Sequence, residues 1–229
     1  MATVLILTVA STSDGLCIAG MTTEPDAVTG LRWVRLVRTC GAVRMEDLTT
    51  ADNQTIRPFD VVEFNLLQPR PVPPQTEDWI ADLDQDRPRI LRRLEGERRS
   101  RFLRARLDTA PREVLDRQRR SLCLIKPASI TGSFRRDAGS AHLDARLAFR
   151  LDGRAYRGTF AKGGLAVSDL EWLALGASWL PEGGGWIEFD TGDLEARYGI
   201  EEVFFVVGLV RSHQRRFEPA ILGVHTLCP

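Results

Sequence analysis

FDVVEFNLLQPRPVPPQTEDW, residues 59–79, begins as a strand and ends as something that cannot be one. Val62, Phe64 and Leu66 alternate with Glu63 and Asn65, the two-residue period of a strand buried on one face. Pro69, Pro71, Pro73 and Pro74 then remove backbone donors and fix φ, so the continuation is neither a central strand nor a helix. It reads as a rigid, extended connection delivering the run Gln75-Thr76-Glu77-Asp78-Trp79. Upstream, ATVLILTVA, LCIAG and LRWVRLV are short apolar runs separated by Gly, Asp, Thr and Pro, which makes residues 1–86 a β domain.

Downstream the period changes. Leu91, Leu94, Phe102, Leu103 and Leu107 recur at roughly helical spacing in an arginine-rich background broken by Gly96, so residues 87–120 read as a helical insert of one or two helices. Strands return over 121–229 in SLCLIKPASITGSF, LDARLAFRLDG, RAYRGTF, WIEFD, VFFVVGLV and AILGVHTL. In the second of these, Leu143, Ala145, Leu147, Phe149 and Leu151 share one face and Asp144, Arg146, Arg150 and Asp152 the other. In SDLEWLAL, Ser168 reads as a helix cap with Asp169 and Glu171 in the first turn, which accounts for that acidic pair structurally. No helix of ten or more residues is expected to alternate with the strands, which argues against a doubly wound sheet. The chain of 229 residues is too long for one small barrel and is read as two β domains around the insert.

Formal net charge is zero, but residues 1–86 carry 6 Arg against 13 acids and residues 87–120 carry 13 Arg against 5. The chain thus has an acidic first part and a basic centre. Lys126 and Lys162 are the only lysines, so an anionic ligand would be held by guanidinium groups, which suit bidentate phosphate or carboxylate contacts. Cys17, Cys40, Cys123 and Cys228 are far apart, which signals neither a disulfide framework nor a zinc site and leads us to expect reduced, mostly buried thiols. The opening MATVLILTVAS lacks a basic flank and is too short for a leader or a membrane span, so a cytoplasmic protein with no membrane partner is expected.

Common catalytic and cofactor patterns are missing. There is no phosphate loop and no G-x-G-x-x-G, and Gly183 to Gly185 precede a strand rather than a helix. His142, His213 and His225 are too scattered for a metal site, and GASWL around Ser178 lacks the second glycine of a nucleophile elbow. No catalytic residue, metal or cofactor is expected. Two positive features remain. The first is the arginine helix, with Arg98, Arg99, Arg101 and Arg104 as phosphate ligands, although an amphipathic helix neutralised by the acidic domain would show the same residues. The second is Trp33, Arg35, Trp79 and Trp172 near turns, where indoles beside guanidinium groups could stack bases, although tryptophan is more often core than platform.

Together GLCIAG, RWVRLV and FDVVEFNLLQPRPVPPQTEDW resemble the bacterial dual OB-containing domain family. The resemblance rests on Cys17, Ile18, Ala19 and Gly20, then Trp33, Val34 and Arg35, then Asp60, Pro69, Pro71 and the run Gln75 to Trp79. SLCLIKPASIT, AVSDLEW and the last two strands extend it loosely through the second half. The chain departs from the pattern at Ala10-Ser11, where the family has Asn-Ser, and at Leu170, where it has proline. The resemblance implies a mainly β fold of two packed OB-type barrels, the first over 1–86 and the second over 121–229, with the arginine-rich insert between them. It further implies nucleic-acid binding and no catalytic residue; on the residues themselves we expect a non-catalytic binding or sensing module for nucleic acid, single strands favoured, or a nucleotide, with Trp33, Arg35, Gln75, Glu77, Asp78 and Trp79 near the ligand. An accessory role beside a nuclease or helicase of a bacterial defence system goes with the resemblance. The rivals are a scaffold that docks a protein partner through the arginine helix, and a hydrolase using Glu77 or Asp78 as base.

Overall fold

A computed structural model describes residues 1–13, 15–27, 30–158, 163–211 and 216–228. His213, Lys162 and the end of RAYRGTF lie outside the described residues. The first part forms β1 (Ala2–Thr12), β2 (Gly15–Asp26), β3 (Gly30–Val37), β4 (Asp60–Phe64), β5 (Leu66–Pro69), β6 (Asp78–Ala81) and β7 (Arg89–Arg93). They make one sheet in the order β5-β6-β3-β2-β1-β4-β7. Within it β4-β1-β2-β3 is a Greek key, three meandering strands with a fourth returned beside the first, and β6 then pairs parallel to β3. The proline run makes that parallel pairing possible: Arg70 N–H donates to the Asp78 carbonyl (2.8 Å), and Val72 and Gln75 exchange backbone hydrogen bonds, so the chain doubles back before β6.

One expectation for the middle of the chain is corrected. Residues 89–93, read as the start of a helix, are the edge strand β7, with Leu91 41% exposed; β4 supplies it with a hydrogen-bonding edge that local periodicity cannot reveal. Gly96, at φ +51°, turns the chain from that strand into α1 (Gly96–Ala105), and α2 (Arg112–Leu115) follows as a single turn.

The second part comprises β8 (Leu122–Ile125), β9 (Ser129–Arg136), β10 (Asp144–Leu151), β11 (Arg154–Tyr156), β12 (Leu165–Ala166), α3 (Leu170–Trp179), β13 (Gly185–Asp190), α4 (Thr191–Tyr198), β14 (Glu202–Arg211) and β15 (Phe217–Leu227). The order β13-β9-β10-β11 repeats the Greek-key pattern of the first sheet, with β12 on β10. Contrary to expectation, α3 is a ten-residue helix, and its cap is Asp169, whose Oδ1 accepts from Trp172 N–H (2.6 Å), rather than Ser168. Ser168 is occupied by backbone bonds instead, accepting from Ser11 N–H and donating to the Ile221 carbonyl (both 2.9 Å). Gly176 leaves room on α3 for the Phe134 ring, which packs against Trp172, Trp179 and Phe189 at 5.3–5.5 Å between centroids.

The sheet β15-β14-β8 joins the two parts. Leu122, Leu124, Phe204, Val206 and Leu222 point from it into a core shared with Leu5, Leu7, Trp33 and Val61 of the first sheet. Cys123, Ile125, Phe205, Val207 and Ile221 point the other way into a core with Phe134, Leu147, Phe149 and Phe189. Burial on both faces explains why these strands read as unbroken apolar runs. β1 is covered on both faces too, since Val4, Ile6 and Val9 face the interior of the first unit. Where β1 meets β15, Thr8 donates its hydroxyl to the Leu222 carbonyl, and a Cβ on Gly223 would lie 2.9 Å from the Leu7 carbonyl oxygen, so the approach requires glycine. Among the described residues β5 and β7, the two ends of the first sheet, do not pair, and neither OB-like unit closes into a complete barrel.

One buried carboxylate adds a polar tie across the shared core. Glu77 Oε1 accepts from the backbone N–H groups of Ser121 (2.9 Å) and Leu122 (3.2 Å), and Oε2 accepts from Ser121 Oγ (2.8 Å). Glu77→Ala strands two buried N–H donors and is expected to cost about 2–5 kcal/mol in urea unfolding, with Glu77→Gln costing roughly half as much because an acceptor remains. A loss below about 0.5 kcal/mol for Glu77→Ala would show that the tie does not matter.

Two buried groups give opposite dependences on pH. Burial, reinforced by the Arg99 charge, pushes the His225 imidazole down to about 3, and burial pushes the Asp169 carboxyl up to about 7 despite its backbone donors. Below about pH 6.5 the unfolded chain protonates His225 while the folded one resists, so this contribution falls as pH drops toward about 3. Above about pH 3.9 the unfolded chain releases the Asp169 proton that the folded one keeps, so that contribution falls as pH rises toward about 7. Between about pH 4 and 6.5, His225→Gln should therefore make stability fall more steeply, or rise less, with increasing pH than in the parent. Asp169→Asn should do the reverse, each by at most about 1.4 kcal/mol per pH unit. Urea midpoints across this range read both variants, and tilts of the same sign contradict the assignment.

Candidate functional site

The Gln75 to Trp79 run divides between core and cleft. Glu77 is spent on the tie to Ser121 and Leu122, so it is not placed to act as a general base. Trp33, expected at a ligand, is 4% exposed and packs in the shared core, and Trp172 packs against Phe134 and Phe189. Neither is a stacking platform, because β3 and α3 are covered on the faces that carry these indoles, a fact set by tertiary packing. Trp79 is half-buried, with the Arg32 guanidinium 4.9 Å above its ring.

Arg35, Gln75 and Asp78 come together in a cleft of about 240 Å3 between the two halves of the chain. The β3–β6 register sets Arg35 beside Asp78, whose Oδ1 lies 2.7 Å from Arg35 Nε and 2.6 Å from Nη2. Arg35 is 6% exposed, and its buried Nη2 lies in the ion pair without making a hydrogen bond of acceptable angle. Burial raises the Asp78 carboxyl, an effect the Arg35 charge opposes, and burial likewise raises the Cys17 thiol nearby.

Sequence reasoning missed the rest of the cleft. Arg38, Arg70 and Arg211 line it with Thr12 and Gly41, making, among the described residues, four arginines against the single carboxylate of Asp78. Arg38 is committed to Asp47 and Asp84, whereas Arg70 and Arg211 are exposed and form no ion pair among the described residues. Arg70 could have been suspected, since it sits in the rigid proline run before Gln75. Arg211 could not, because β14 reaches the cleft only through the joining sheet.

The arginines of α1 are spent largely on the protein itself. Arg104 Nη2 lies 2.8 Å from Glu202 Oε1, and with Lys126 it holds that carboxyl below the usual range. Arg101 pairs with Glu97 (2.8 Å), and Arg99 lies 4.3 Å over the Phe59 ring while donating to the Thr226 carbonyl (3.2 Å). Arg98 is exposed. Elsewhere in the same segment, Arg93 pairs with Asp60 (2.7 Å) and Arg120 with Asp108 (2.6 Å). The basic centre is thus in large part a set of internal ties. Of the four thiols, Cys17 and Cys123 are buried and Cys40 and Cys228 exposed, so the expectation of mostly buried cysteines is met by half of them.

A second open surface lies on the outer face of β9, β10 and β13, a trough of about 860 Å3. Trp186, Arg135 and Asp144 stand in one cross-strand row and Glu188, Ser133 and Arg146 in the next. Trp186 is 64% exposed. Its alternation with Ile187 and Phe189 in WIEFD was the signal that it faces outward. Arg146 pairs with Asp144 (2.8 Å) and Arg135 with Asp137 (3.0 Å), so the described residues of this surface offer no surplus of positive charge.

No helix among the described residues is long and apolar enough to cross a membrane. The sequence model of one family, described as the dual OB-containing domain, matches residues 2–163, from β1 to just before β12. No curated protein and no solved structure matches the chain.

Proposed function

The chain belongs to the dual OB-containing domain family, and from that premise we propose that it is a non-catalytic module that binds nucleic acid, single strands favoured, or a nucleotide, by its phosphate. The observation that carries the reading is the cleft in which, among the described residues, Arg35, Arg38, Arg70 and Arg211 face one carboxylate. Phosphate contacts supply most of the sequence-independent affinity for nucleic acid, and planar guanidinium groups suit phosphate oxygens. The site in this reading is narrower than the one expected from sequence. It keeps Arg35, Gln75 and Asp78, adds Arg70 and Arg211, and leaves Arg98 as an exposed contact of α1.

Docking of a protein partner through α1 has less support, since Arg99, Arg101 and Arg104 are engaged within the chain. A hydrolase based on Glu77 or Asp78 has less still, because the first is hydrogen-bonded by three donor groups and the second is paired with Arg35. The accessory role beside a nuclease or helicase of a bacterial defence system is supported by the resemblance alone.

Fluorescence anisotropy with labelled single-stranded and duplex probes tests the proposal. Arg70→Ala together with Arg211→Ala is expected to weaken single-strand binding about tenfold or more and to lower the slope of log K against log salt by about 1.4. Arg101→Ala, which removes a residue already paired on α1, should change affinity less than twofold or so. Binding that survives the double variant but is lost with Arg98→Ala and Arg101→Ala would move the site from the cleft to α1.

A further inference from the structure

The cleft has features that fit one kind of phosphate better than another. At about 240 Å3 it lies below the roughly 300–1,000 Å3 of pockets that take drug-sized ligands, whereas an OB-type groove that tracks a single strand spans about 4–16 nucleotides. It has room for one phosphate-bearing unit. Its walls come from separate segments: the end of β1 with Thr12, the chain after β3 with Gly41, the proline run with Arg70 and Gln75, and the end of β14 with Arg211.

Charge narrows the choice further. Arg38 is neutralised by Asp47 and Asp84, and Arg35 by Asp78, while Arg70 and Arg211 remain without ion pairs among the described residues. Arg211 lies 5.4 Å over the Phe217 ring, a contact that leaves its charge unneutralised, and Arg70 acts on Asp78 only at a distance; two guanidinium charges without an ion pair among the described residues match a phosphate monoester, which carries close to −2 at neutral pH, better than a phosphodiester, which carries −1. Behind them, the Arg35 guanidinium is more than nine-tenths buried, and its Nη2 still lacks a well-aligned acceptor. A buried donor in that state is costly, and a phosphate oxygen entering the cleft would give the group an acceptor after a small rearrangement.

We propose that this cleft receives a phosphate monoester, either the end phosphate of a nucleic-acid strand or the phosphate of a free nucleotide, in preference to the phosphodiesters within a strand. The inference rests on the phosphate-binding reading above and names the class of phosphate. Arg70 and Arg211 neutralise the dianion at the mouth, Arg35 holds it from the interior, and the Gln75 side-chain amide provides an uncharged donor. Because the monoester takes up its second charge near pH 6, affinity should rise between about pH 5 and 7 for a phosphorylated end and not for a hydroxyl end.

The test compares two labelled single strands of about 12 nucleotides, identical except for a 5′-phosphate or a 5′-hydroxyl, by anisotropy with the full chain. Calorimetry with a nucleoside 5′-monophosphate and its parent nucleoside accompanies it. The expected result is about tenfold tighter binding of the phosphorylated strand, lost in Arg70→Ala and in Arg211→Ala. These exposed positions are chosen so that folding is kept, with Arg35→Lys as the interior variant. Equal binding of the two strands, with no monophosphate binding, overturns this inference and leaves the nucleic-acid reading in place. Monophosphate binding without binding of either strand supports the monoester site and overturns the nucleic-acid reading in favour of a nucleotide. Binding of nothing overturns both.

Discussion

The fold depends on a sheet that belongs to neither half alone. β8, β14 and β15 are apolar on both faces, so they can be stable only with a layer on each side. The OB-like sheet of the first half covers one face, and the second half covers the other. Glu77 sits at the seam, satisfying the backbone donors with which β8 begins. Its carboxylate is buried in the seam, and it is tolerated there because three protein donors satisfy it in place of water. The most specific piece of the Gln75 to Trp79 run is therefore, in the first place, a joint.

That joint also makes the cleft. Arg35 and Asp78 are set side by side by parallel pairing of β3 with β6, wholly within the first half. Arg211 arrives from the far end of β14, which is held against β1 by the same central sheet. A site built across a seam is sensitive to how the two halves sit. Loosening the Glu77 tie would disturb the spacing of the arginines as well as the stability of the chain, which connects a structural residue to function without giving it a ligand contact.

Charge patterning gave a misleading picture of the surface. The basic centre and the acidic first part suggested a positively charged helix open to a partner. Folding instead spends many of those arginines on carboxylates wherever they lie, Arg93 with Asp60 of the first sheet, Arg104 with Glu202 of the second part, and Arg101 with Glu97 and Arg120 with Asp108 within the insert. The arginines that matter most to the proposal, Arg70 and Arg211, come from stretches with little excess charge. Local density of one residue type measures composition; what counts for binding is the charge left unpaired after packing.

Much of the fold was legible from the residues alone. The alternation of Val62, Phe64 and Leu66, or of Ala145, Leu147 and Phe149, declares a half-buried strand because the side-chain period of a strand is a local property. The prolines after Leu67 likewise exclude a central strand wherever they sit in space, and β5, which ends at Pro69, is accordingly an edge strand; the mainly β class follows from such segments together. Other features depended on partners remote in sequence. Residues 89–93 became a strand because β4 offered an edge, and Asp169 rather than Ser168 became the cap because Ser168 was engaged by Ser11 and Ile221. The same is true of the site. Sequence could nominate Arg35, Gln75 and Asp78, but whether an indole is core or platform, and which guanidinium groups lack a carboxylate, is decided by neighbours far along the chain, and only the tertiary structure supplies them.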